Sequence, residues 1–104
     1  MAEKDYSVDL QRLFLEMMLA DPQSYIRVQN IYNPVNFHKS IRSAALFIQN
    51  YSTKYASVPT IEQIKGDTGV ILQNVEIQDD TMVEWFLDEF EKFTRHETLK
   101  RVIL

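Results

Sequence analysis

A chain of 104 residues, 45% apolar and 25% charged, with two glycines and three prolines, has the composition of one globular domain. That excludes a disordered or fibrous chain and leaves no room for a cofactor domain beside a substrate domain. The absence of cysteine excludes disulfides, thiolate catalysis and cysteine-based zinc sites, and a reducing cytoplasm is the expected location. The net charge of -4 is unevenly spread, with -3 over residues 1–21, +4 over 22–66 and -5 over 67–104.

No run approaches the ~18 to 20 apolar residues of a membrane span, and the N-terminus lacks a signal-peptide core, so no membrane partner is expected. Between Val8 and Leu19, Leu10, Leu13, Phe14 and Met17 share one face while Val8, Leu15 and Leu19 take the other. A helix apolar nearly all round is predicted to be buried, with Met17 and Met18 filling core space. Asp21-Pro22 offers an N-cap followed by a proline suited to the first helical position, which predicts a short second helix to about Gln29 with Tyr25 and Val28 inward. Tyr32-Asn33-Pro34 reads as a turn.

The pattern centres on residues 33–63. Phe37, Ile41, Ala44, Ala45, Ile48, Tyr51 and Tyr55 recur at intervals of three and four, predicting one long helix with a core stripe. Leu46 and Phe47 fall on the far side among Lys39, Arg42, Gln49, Asn50 and Lys54, where a second element or a partner is expected. Pro59 stops the helix, and Thr60-Ile61-Glu62-Gln63 forms a capping box that starts another. Ile61 and Ile64 point inward for barely two turns before Gly66-Asp67-Thr68-Gly69 breaks the pattern.

Residues 70–77 are rich in β-branched side chains, but no second strand exists to pair with them, so a loop or short helix is predicted. From Asp79, two aspartates and Thr81 supply N-cap choices, Thr81 to Glu84 reads as a second capping box, and Met82, Val83, Phe86, Leu87, Phe90 and Phe93 share a broad face with Trp85 on its flank. Glu97 interrupts that face, and Leu99, Val102 and Ile103 project elsewhere, so the apolar stripe turns near His96. The end at Ile103-Leu104, without glycine cap or polar tail, is expected of a piece of a longer protein cut in or before a helical continuation.

A phosphate-cradling loop needs glycines and a lysine ahead of a helix, and Gly66 and Gly69 are not followed by that pattern. His38 and His96 have no partner at metal-ligand spacing and read as ordinary histidines. Glu76, Asp79, Asp80, Glu84, Asp88, Glu89 and Glu91 could hold magnesium or supply a carboxylate pair, but on a helix they spread over a solvated face that suits its N-terminal dipole. The stripe of Trp85, Phe86, Phe90 and Phe93 could stack bases, although helical spacing favours core. No catalytic, cofactor-binding or metal constellation is found.

Four stretches carry a resemblance: Asp21-Pro22-Gln23-Ser24-Tyr25; Phe37-His38-Lys39-Ser40-Ile41-Arg42; Tyr55-Ala56-Ser57-Val58-Pro59-Thr60-Ile61; and the run from Trp85 to Phe93. Together, over nearly the whole chain, they resemble the N-terminal domain of DnaB-like replicative DNA helicases, most of all those of T-even-type bacteriophages. The resemblance implies an all-α domain of about five to six helices. The C-terminal helix would be the first arm of a truncated helical hairpin, and the domain a collar on a hexameric ring. It also implies a phage protein in the host cytoplasm that self-associates, docks primase and helicase loader during DNA replication, and encircles single-stranded DNA through the full ring. ATP and magnesium would belong to a motor domain following Leu104, with no cofactor in residues 1–104.

On that reading, Leu99, Val102 and Ile103, with Trp85, are the candidate subunit interface, and Leu46 and Phe47 a second one. The alternative is a small nucleic-acid-binding helical domain using the basic segment 27–65, with Lys39, Arg42 and Lys54 as contacts. An enzyme working through the acidic helix would need a bound divalent metal.

Overall fold

The structure, a computed structural model, describes residues 6–103 and the side chains of residues 6–102. Ser7 starts the first helix, α1 (Val8–Ala20), by accepting the Leu10 amide at 3.1 Å, which satisfies a donor that has no intrahelical partner. Phe14, Leu15, Met17 and Met18 are all buried, as a helix apolar on both sides requires. Asp21 closes α1 through its own amide and opens α2 (Pro22–Val28), but its carboxylate does not cap α2 as predicted. With its backbone bent to end α1, Asp21 instead accepts the Ser24 hydroxyl at 2.9 Å. Tyr25 and Val28 face inward.

The predicted long helix starts later than the spacing suggests. Pro34–Asn36 forms one 3-10 turn, capped by Asn33 Oδ1 on the Val35 amide, and Phe37 is extended, so α3 spans Arg42–Tyr55. Phe37 and Ile41 are nonetheless buried. The turn folds back so that the His38 amide reaches Gln11 Oε1 at 2.7 Å, and His38 Nδ1 accepts the Ser40 amide at 3.1 Å. The core stripe also ends early. Tyr51 is half-buried and Tyr55 is 56% exposed, because α3 stops at Ala56 in the left-handed region at φ 54° and its last turn lies beyond the core.

Both bonds of the Thr60–Gln63 capping box are present, at 3.1 and 2.8 Å, and open α4 (Ile61–Thr68). Gly66 does not break this helix. Gly69 ends it, at φ 79°, where a side chain would be strained. Residues 70–79 are irregular, and no strand occurs among the described residues. The segment is tied down along its length: Leu72 is buried, Val70, Val75 and Ile77 pack against the core, and the Gln73 amide donates to Glu16 Oε2 on α1 at 2.6 Å.

The last helix, α5 (Asp80–Ile103), is capped by Asp79, whose Oδ1 accepts the Met82 amide at 3.1 Å; the predicted Thr81–Glu84 box is replaced by a cap two residues earlier. Its 24 residues span about 36 Å, close to the 39 Å long dimension of the molecule. Phe86, Phe90 and Phe93 are fully buried and meet Phe14 at ring-centroid distances of 6.0, 5.5 and 5.4 Å. Tyr32 closes the core from the other side and donates its hydroxyl to the Ala45 carbonyl at 2.6 Å, and burial pushes its phenol well above the ordinary value. Among the described residues the architecture is an all-α bundle of five α-helices and one 3-10 turn.

Phe90→Ala removes the ring that touches Phe14, Phe37, Phe86 and Phe93, and is expected to lower unfolding free energy by about 3–5 kcal/mol in urea titration. Burial raises the Glu16 carboxyl above the ordinary value, against the lowering effects of the Gln73 amide and Arg12. An acid raised in the folded state binds its proton more tightly there than in the unfolded chain. Its contribution therefore favours folding at low pH and is lost as pH rises from the ordinary glutamate range through the raised value. Glu16→Gln keeps an acceptor for Gln73, so its stability relative to the parent should grow as pH rises above the ordinary glutamate range of about 4. Parallel urea-midpoint curves for the two proteins would refute that account.

Candidate interaction surfaces

α5 presents two faces with different fates. Phe86, Phe90 and Phe93 are committed to the core, while Trp85, Asp88, Lys92, Arg95, Leu99 and Val102, at alternating steps of three and four, form a stripe turned outward. Trp85 is 41% exposed, Leu99 52% and Val102 76%. Trp85 keeps one edge near Phe14, with ring centroids 6.3 Å apart, and so bridges core and surface. Three of the four residues expected at a subunit interface thus share one stripe about 26 Å long. The side chain of the fourth, Ile103, lies outside the described residues.

Leu46 and Phe47 are adjacent on α3 and go separate ways. Leu46 is 47% exposed, whereas Phe47 packs against the core and against the Tyr51 ring at 5.9 Å, so the two do not form a joint patch.

The cations named from sequence are also divided. Lys54 lies over the Tyr55 ring, 5.3 Å from its centroid, about 18 Å along α3 from Arg42. Lys39 and Arg42 do come together, lining an open cavity of about 460 Å³ with His38, Tyr6, Glu97 and Lys100. The Arg42 Nε and Nη2 groups both donate to the Phe37 carbonyl, at 3.1 and 3.0 Å. Lys100 and Arg101 were not singled out in the sequence. They reach this region because the last turns of α5 pass the 3-10 turn, where the Arg101 guanidinium donates to Asn36 Oδ1. No local signal announces that meeting, since 65 residues separate the partners.

The acidic run does not gather. Asp88 and Glu91 face solvent, and Glu91 is paired with Arg95 at 2.7 Å. Glu89 departs from the expected solvated face: it is buried, with Lys92 at 3.4 Å. Among the described residues no group of three or more His, Cys, Asp or Glu side chains is placed to hold a metal ion, and no helix is long and apolar enough to cross a membrane. In comparisons with known proteins, no family model matches the chain, and no curated protein or solved structure matches it.

Proposed function

We propose that the chain is the non-catalytic N-terminal collar domain of a DnaB-like replicative DNA helicase, supporting ring assembly and docking primase and helicase loader. The observation that carries the assembly part is the outward stripe of α5, apolar at both ends and already rigid because its opposite face is locked into the core. The all-α fold is consistent with this reading. The roles in priming, loading and encircling single-stranded DNA, and the ATP-driven motor expected after Leu104, are supported by the sequence resemblance alone.

Charge along α5 selects how two copies would pair. Residues 80–91 carry five acidic and no basic side chains, and residues 92–103 carry four basic and one acidic. Parallel pairing sets like charges side by side, whereas antiparallel pairing lays each acidic half along a basic half. The antiparallel order also brings the Trp85 end of one copy toward the Leu99 and Val102 end of the other. A two-fold contact of this kind uses the same patch on both subunits. It is weak for a lone domain and becomes effective in a ring, where linked contacts raise the effective concentration.

Sedimentation velocity from about 10 µM to about 1 mM should show a monomer passing to a dimer, less dimer at high salt, and loss of dimer in Leu99→Glu/Val102→Glu. A protein that stays monomeric over that range would overturn the reading.

A further inference from the structure

The end of the bundle where α5 passes the 3-10 turn carries a charge anomaly that extends beyond α5 itself, onto the segment around Phe37 and the start of α3. On a chain of net charge -4, the cavity beside Phe37 is lined, among the described residues, by Lys39, Arg42 and Lys100 against one carboxylate, Glu97. That carboxylate is already 3.4 Å from Lys100. Arg101 stands next to them on Asn36, which lines both this cavity and a neighbouring polar one with Asn30, Asn33, Gln49 and Thr98.

The state of the two arginines is informative. Both guanidinium groups are fixed by neutral acceptors, the Phe37 carbonyl and the Asn36 amide oxygen, on adjacent residues of one short segment. A neutral acceptor orients a guanidinium and leaves its charge uncompensated. The cost of ordering the side chain is then met before any anion arrives. Arg42 spends Nε and Nη2 on that anchor, so its Nη1 edge remains for a ligand.

We infer that Lys39, Arg42, Lys100 and Arg101 form a phosphate-binding track for single-stranded nucleic acid. The two cavities are open and adjacent rather than one enclosed pocket, and the cations follow the surface across Asn36. That shape suits the backbone of an extended strand better than a mononucleotide, whose base would need an enclosing or stacking wall. Lys54 is not part of the track. Lys100 and Arg101 also belong to the basic half of α5, so the track shares two cations with antiparallel pairing, whereas Lys39 and Arg42 serve the track alone.

The test is fluorescence anisotropy of a labelled oligothymidylate with the full chain across a salt series. Four phosphate contacts give a slope of log Kobs against log salt of about -2.8, at ~0.7 per contact. Lys39→Ala/Lys100→Ala removes two exposed cations and leaves both anchored arginines, so the slope should fall to about -1.4 with circular dichroism unchanged. Lys54→Ala/Lys65→Ala should keep the parent slope. Absence of salt-dependent binding, an equal loss in the Lys54/Lys65 control, or equally tight binding of poly-glutamate would each overturn the inference.

Discussion

The seating of Phe14 among Phe86, Phe90 and Phe93 is the contact on which the rest of the molecule depends. Phe14 meets Phe90 edge-on at an interplanar angle of 90° and Phe86 at 74°, the arrangement in which the positive rim of one ring faces the negative face of another. The three α5 rings repeat at four and three residues, so one contact fixes both the rotation and the axial position of a helix nearly as long as the domain. Once that rotation is set, the outward direction of Trp85, Leu99 and Val102 follows. So does the height at which Arg101 meets Asn36. Both candidate surfaces are consequences of one aromatic register.

Much of the fold was legible in the sequence because helix periodicity and capping are local signals. The Thr60–Gln63 box, the inward Tyr25 and Val28, and the phenylalanine face of α5 needed only residues within one or two turns. The errors came where a side chain had two local options. Asp21 chose the Ser24 hydroxyl because its backbone was already serving α1, and of the N-cap choices at the start of α5 it was Asp79, not the Thr81–Glu84 box, that took the cap. Phe37 and Ile41 kept helical spacing without a helix because a folded-back turn can bury the same two side chains.

The candidate surfaces were legible only in part, and the reason differs for each. Leu99 and Val102 stood out because α5 leaves its own core stripe, which a helical wheel shows. Phe47 looked equally unplaced, yet α3 is covered on more than one side and its ring was absorbed. The basic cluster was half visible: Lys39 and Arg42 lie close in sequence, but Lys100 and Arg101 join them only through the tertiary path of α5. Sequence proximity recruited Lys54 instead, which the geometry of α3 carries to the opposite end.

The two longest-range polar ties described above, Gln73 to Glu16 and Arg101 to Asn36, bridge 57 and 65 residues. Helical turns and the α1/α2 and α3/α4 corners, by contrast, form between near neighbours and involve little chain-closure entropy. The contacts of Phe14 with the α5 rings span still more of the chain than either tie, so the aromatic register and the crossing segment both rest on closures far longer than the corners. Lacking a backbone ladder of its own, the crossing segment takes its order from the core side chains and the α1 carboxylate that it meets.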